Sequence, residues 1–182
     1  RQLPRGDGVR AAHRAARVKG LAQGTVRPMF PPMKKSLTYI LFIAVIVGLG
    51  ALSGVSNMPG EWYQSLEKPF FQPPPWIFGP VWTTLYVLIA IAGARTWLQA
   101  PASGRMQVWF MQMILNFLWS PAFFGYQSPI LGLVVIIPLL VAILAFIRLS
   151  WNADRVSAWL FVPYAAWVTF ATLLNLSIAV LN

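Results

Sequence analysis

The sequence predicts an all-α membrane protein, a bundle of five transmembrane helices with a long Pro-rich loop after the first. Three observations carry that prediction. Hydrophobic residues make up 58% of the 182 positions and charged residues only 10%, far below the ~25% charged of a soluble domain. Five runs contain no Asp, Glu, Lys or Arg, at 37–56, 76–94, 106–126, 129–147 and 156–181, each close to the ~20 residues a helix needs to cross ~30 Å of hydrocarbon. None alternates apolar with polar positions as the ~10-residue strands of a membrane barrel would.

Taken in order, residues 1–35 come first as a basic extension. They hold nine Lys or Arg against one acid, which is +8 of the formal charge of +10. Arg5, Arg10, Arg14, Arg17, Lys19 and Arg27 are spaced by Gly and Pro without a sustained apolar stripe, so disorder is expected there. Two readings compete: an Arg-rich, acid-poor targeting segment, or residues upstream of a natural start at Met33. The second is favoured, because Met33-Lys34-Lys35 runs directly into the first apolar stretch.

The domain is expected over 36–182, with spans at about 37–57, 76–98, 105–126, 129–149 and 155–181. The first is too long, and too well followed by others, to be a cleaved signal peptide. Gly50 and Gly54 make a GxxxG match in it, and Ala90 and Ala94 repeat the small-residue spacing in the second span; such pairs let helix backbones approach within or between protomers. Pro80, Pro121, Pro138 and Pro163 lie inside or at the edges of spans, where kinks open space between helices.

With five spans, Lys34, Lys35, Arg95, Arg105, Arg148 and Arg155 share one side and Lys68 stands alone on the other. The positive-inside rule therefore places the amino terminus in the cytoplasm. The bundle itself is nearly neutral, which argues against nucleic-acid binding, since phosphate contacts need a basic patch. The chain has no cysteine, and His13, in the extension, is its one histidine. Disulfides and thiolate metal sites are excluded, and haem ligation in the membrane is limited to Met or Tyr. The span interiors carry no charged residue, which argues against a proton-coupled pump, whose relay normally needs an intramembrane carboxylate or histidine.

The connection at 58–75 is the longest loop. Pro69, Pro73, Pro74 and Pro75 restrict its backbone and should make it stiff, while Trp62, Tyr63 and Trp76 suit the membrane interface. A rise of ~1.5 Å per residue puts Trp82 roughly 9 Å below the loop-side surface, with Asn116, Trp167, Ala171 and Asn175 in the same half of the bilayer. Asn116 and Asn175 must either bond neighbouring helices or line a cavity, since an unsatisfied amide there is costly. Trp167 and Ala171 share one helix face at i and i+4, which makes either ordinary packing or a recess for a flat guest.

The residues Trp62-Tyr63, Leu66, Lys68-Pro69, Pro73-Pro74, Trp76, Phe78, Trp82 and Leu85-Tyr86 resemble the first-loop and second-helix signature of the TspO/MBR family, the tryptophan-rich sensory and translocator proteins. Leu115-Asn116-Phe117-Leu118-Trp119-Ser120-Pro121 with Phe123-Phe124-Gly125, and Val162-Pro163-Tyr164 with Trp167, Thr169, Ala171-Thr172 and Leu174-Asn175, agree with it. The resemblance covers essentially all of 36–182 and is of the bacterial type. It implies a homodimer in a bacterial cell membrane and a stacking site for porphyrins and haem precursors, also open to benzodiazepine- and isoquinoline-type compounds. By resemblance, Tyr63, Trp82, Asn116, Trp119, Trp167 and Ala171 are assigned to ligand binding. Trp62, Lys68, Pro69, Pro73, Pro74 and Trp76 are assigned to a loop gate, with Lys68 a candidate partner for a porphyrin propionate. Vertebrate members carry a sterol-recognition stretch with Tyr and Arg after the Leu-Asn of the fifth helix; residues 176–182 contain neither, so sterol binding there is not supported.

Three functions fit these residues: a tetrapyrrole-binding sensory protein, Trp-dependent porphyrin degradation using Trp82 and Trp167, and a carrier for porphyrins or other hydrophobic metabolites. The first leads. No cofactor or metal is required by any of them, and membrane lipid is the expected surround.

Overall fold

The structure is a computed structural model, and it describes residues 34–182. The basic extension, its expected disorder and the start at Met33 lie outside the described residues. Among the described residues every regular element is helical. The elements are α1 (Lys35–Ser56), a short α2 (Glu61–Ser65), a 3-10 turn (Pro75–Ile77), α3 (Phe78–Gln99), α4 (Gly104–Ser120), a π-helical turn (Pro121–Gly125), α5 (Pro129–Ser150) and α6 (Arg155–Leu181).

Among the described residues four helices, counting the 3-10 turn with α3, are long and apolar enough to cross a membrane. The span expected at 105–126 is instead composite. Its α-helix has 17 residues, about 25 Å at 1.5 Å per residue, and the π turn prolongs the path. The cause is local. Pro121 has no N–H to return to the preceding turn, and the chain widens to i→i+5 bonds, Tyr126 N–H donating to Pro121 O at 2.9 Å and Ser128 N–H to Phe123 O at 3.1 Å. Gln127, with φ 51°, then takes the left-handed conformation that reverses the chain into α5.

The helix ends are capped by side chains where the loops are short. Ser103 Oγ accepts from Met106 N–H and Ser128 Oγ from Leu131 N–H, each at 3.3 Å, and Pro129 occupies the first turn of α5, where a missing N–H costs nothing. Asp154 caps α6, its Oδ1 accepting from Ser157 N–H at 3.5 Å, and its Oδ2 accepts from Ser157 Oγ at 2.6 Å.

Neighbouring helices form a closed ring in which α1 packs on α3, α3 on α6, α6 on α5, α5 on α4, and α4 returns weakly to α1. Chain direction alternates, so Arg95 near the end of α3 meets Asp154 at the start of α6. Two glycines fix close approaches: Gly50 of α1 lies flat against the Tyr86 ring and Gly93 of α3 against the Trp109 indole, with no room for a methyl group at either. Outward positions such as Ile40, Val55, Val134 and Val141 are apolar side chains 61–69% exposed, the surface a helix presents to lipid. With the apolar lengths of the helices, this is the architecture of an integral membrane protein.

Candidate functional site

At the loop end the ring lines a cavity of about 360 Å³. Each wall comes from a different element. Helix α3 contributes Phe78, Trp82 and Tyr86, α4 Asn116 and Trp119, the π turn Phe123 and Phe124, and α6 Trp167, Ala171, Leu174 and Asn175. Helix α1 contributes only small or polar residues past Val47: Gly50, Ala51, Ser53, Gly54 and Asn57. Tyr63 of α2 closes the top. Among the described residues no charged side chain stands in this wall.

The floor is a hydrogen-bonded chain. Tyr86 Oη donates to Asn116 Oδ1 at 3.0 Å, and Asn116 Nδ2 donates to Tyr164 Oη at 2.7 Å. Asn116 thus ties α3, α4 and α6 together, and both readings of it hold at once, interhelical bonding and cavity lining. A second amide repeats the device. Trp119 Nε1 donates to Asn175 Oδ1 at 3.2 Å, and Asn175 Nδ2 donates to Pro129 O at 2.8 Å. These bonds orient the amides in a low-dielectric interior where a free one would cost a few kcal/mol.

The indole of Trp82 lies 5.5 Å from the Tyr86 ring and 6.4 Å from Tyr164, while Trp167 meets Phe78 at 5.7 Å in an edge-to-face pair. Trp119 stacks on Phe123 at 5.3 Å. The Trp167 Nε1–H is buried and has no acceptor among the described residues. A cavity walled by ring faces favours a flat aromatic guest.

Over this space the loop forms a roof. Trp62 and Tyr63 pack edge-on against Phe123 at 5.8 and 6.0 Å, and burial pushes the Tyr63 phenol above its ordinary pKa, keeping it neutral. Glu67 is paired with the side chain of Asn182: its N–H donates to Asn182 Oδ1 at 2.9 Å, and Asn182 Nδ2 donates to its carbonyl at 3.1 Å.

The structure therefore brings together Tyr63, Trp82, Asn116, Trp119, Trp167 and Ala171 around one space. Of the residues assigned to a loop gate, Trp62 packs on the roof, whereas Lys68, Pro69, Pro73, Pro74 and Trp76 are not among the lining residues, and Trp76 is 73% exposed. The Lys68 ammonium is occupied: Nζ donates to Gln64 O and Leu66 O, each at 3.0 Å, and sits 5.1 Å from the Tyr63 ring centre. It holds the end of α2 in place. Sequence reasoning missed Tyr86 and Tyr164 as partners of Asn116, and Phe123 as the backing of Trp119. Spacing carried a signal for one of them, since Tyr86 falls one turn after Trp82 on α3.

Residues 40–181 match the TspO/MBR family. Among relatives, Protein CrtK of Rhodobacter capsulatus is 37% identical over 151 residues, 81% of this chain and 94% of its own. A tryptophan-rich protein TspO of Archaeoglobus fulgidus is 45% identical over 66% of this chain and 80% of its own. The translocator protein of Homo sapiens is 32% identical over 81% of this chain and 89% of its own. With the family match spanning every long helix of the bundle, the chain belongs to the TspO/MBR family.

Proposed function

We propose that this protein binds a tetrapyrrole of the protoporphyrin class in the loop-end cavity and acts as a membrane sensory protein. The observation that carries the reading is the uncharged, ring-walled space itself. Stacking on indole and phenol faces suits a large planar π system, at about 0.5–1.5 kcal/mol per aromatic pair beyond area burial. A relative named tryptophan-rich sensory protein, from Cereibacter sphaeroides, supports the same direction. Benzodiazepine- and isoquinoline-type compounds fit by the same chemistry. Quenching of tryptophan fluorescence by protoporphyrin, with and without Trp167→Ala, tests it: the variant should bind at least several-fold more weakly while keeping its helical circular dichroism. Equal affinities in the two proteins would remove the assigned site.

A second reading, Trp-dependent porphyrin breakdown in light and oxygen, is favoured by one geometric fact. Trp82 stands within 6.4 Å of two phenols, Tyr86 and Tyr164, a cluster of oxidisable rings at the cavity floor. A Trp82→Phe/Trp167→Phe variant that bleaches bound porphyrin under illumination as fast as the unaltered protein rules this out. A carrier role requires the same cavity and would be seen as protein-dependent uptake into liposomes. A homodimer in a bacterial cell membrane, with the amino terminus in the cytoplasm, completes the proposal; the clustering of Lys34, Lys35, Arg95, Arg105, Arg148 and Arg155 at one end supports that orientation.

A further inference from the structure

The ring of helices has a weak seam where α4 returns to α1, and there the two helices leave an outward groove of about 390 Å³. It follows α1 from Leu41 to Leu49 and α4 from Trp109 to Phe117, and every residue lining it is apolar. Its floor is buried at Ile46, Trp109 and Met113, while its rims are exposed at Val45, Phe110 and Ile114. Eight residue steps on each helix make the groove about 12 Å long. It is separate from the loop-end cavity: Phe117, at the inner end of the groove, stacks on Tyr86 at 6.1 Å, and Tyr86 lines the cavity.

The outer end of the groove is charged. Lys34 and Lys35, at the start of α1, precede Leu41 and Phe42 by seven residues, two turns on the same face. Arg105 precedes Trp109 by one turn of α4. Both lysines are exposed, and the Arg105 side chain meets no carboxylate among the described residues, donating to the neutral Gln99 Oε1 at 3.5 Å. Asp154, the one acid at this end among the described residues, is already engaged by Arg95, Gln99 and Ser157.

We infer that the groove between α1 and α4 binds an anionic phospholipid, one acyl chain lying in the trough and the phosphate held by Lys34, Lys35 and Arg105. Depth and charge agree on this occupant. The trough begins about 9 Å beneath Lys35 and ends about 21 Å beneath it, the level of the acyl chains of one leaflet. Long basic side chains at its mouth reach the headgroups, where they attract anionic lipid. A convex helix surface meets any chain in passing, whereas a trough with a buried floor and a cationic mouth holds one class of lipid. A second copy of the protein suits the face less well. A two-fold pairing through it would set two sets of Lys34, Lys35 and Arg105 against each other at one level of the membrane.

The experiment places the full chain in phosphatidylcholine nanodiscs with a trace of phosphatidylglycerol carrying a photoreactive acyl chain, and maps the labelled residues by mass spectrometry. Label is expected along 41–49 and 109–117, competed by unlabelled phosphatidylglycerol and not by added phosphatidylcholine. Lys34→Gln, Lys35→Gln and Arg105→Gln should each weaken that competition about fivefold. Val45→Phe/Ile114→Phe, which fills the groove from its exposed rims and leaves the cations in place, should lose the groove label at an unchanged Tm. Equal competition by the two lipids, or label in the groove that neither the charge variants nor the filled variant alters, would overturn the assignment. Ile114→Cys, in a chain with no other cysteine, reports on a second copy: efficient cross-linking between copies with an unlabelled groove would overturn it as well.

Discussion

Toward the Arg95 end the helices pack into a solid core, with a groove between α1 and α4 on its outer side, while toward the loop end the same ring lines a cavity. In the solid half Ile89, Ala90, Ala92, Ala94, Ile143, Phe146 and Phe161 have no exposure at all, and the Phe146 and Phe161 rings meet at 4.1 Å. Small residues on α3 let α1, α4 and α6 close in, and Trp109 fills the space over Gly93 with its Nε1 donating to Ile89 O at 3.0 Å. In the open half, large rings are held at the edge of a void by hydrogen-bonded amides. The difference teaches that tight packing and the clamp at one end supply the rigidity against which a cavity can be kept open at the other.

The largest test of that contrast is steric. Gly93→Val forces a branched side chain into the Trp109 indole and should lower stability by about 3 kcal/mol, at the upper end for overpacking. Gly54→Val, at the open end, should change it by less than about 0.5 kcal/mol. Thermal unfolding in detergent compares the two, and equal losses would erase the distinction between the halves.

Next in size is the clamp. Arg95 Nε and Nη2 donate to Asp154 at 3.0 and 2.9 Å, and Gln99 Nε2 adds a third bond at 2.9 Å. Burial alone would raise the Asp154 carboxyl, but the hydrogen bonds from Arg95 and Ser157, the Arg95 charge and Gln99 outweigh it and hold its pKa well below the usual range. Asp154→Asn should cost about 2 kcal/mol, in line with a charged hydrogen bond lost in a part-buried site. The unfolded chain binds this proton more readily than the folded one, so stability rises with pH in that window. The contribution is complete above the unfolded value of about 3.9 and fades as pH falls toward the folded one. A Tm that drops between pH 5 and pH 3 in the unaltered protein, and drops less in Asp154→Asn, is the expected result.

Smaller effects belong to the open half. Trp119→Phe keeps the stack on Phe123 but removes the donor to Asn175 Oδ1, for a loss of about 1 kcal/mol. Ala171→Leu grows into the cavity and should move stability by no more than about 0.5 kcal/mol in either direction, yet abolish porphyrin quenching. A large destabilisation by that substitution would mean that the space is less open than its volume indicates.

Much of this contrast was legible in the sequence. Charge-free runs marked where the long helices lie, because hydrocarbon tolerates little else, and depth counting put Trp82, Asn116, Trp167, Ala171 and Asn175 at one level. What could not be read was who faces whom. The bonds from Tyr86 and to Tyr164 join residues 30 and 48 positions from Asn116, and no local pattern encodes such a meeting. The π turn escaped for a related reason: Pro121 announces a disturbance, but a kink, a break and a widened turn are equally compatible with it. Lys68 was legible as an interfacial cation, whereas its hold on Gln64 O and Leu66 O depends on how α2 ends.

One feature of the open half reaches beyond binding. Its lining has no ionised group on α1, α3, α4 or α6, so the membrane potential, worth about 2.3 kcal/mol per charge for each 100 mV crossed, finds nothing there to pull. Electrically the cavity wall is silent. A guest bearing carboxylates would be the voltage-sensitive component, and its occupancy would follow the polarisation of the membrane only as far as those carboxylates descend into the field.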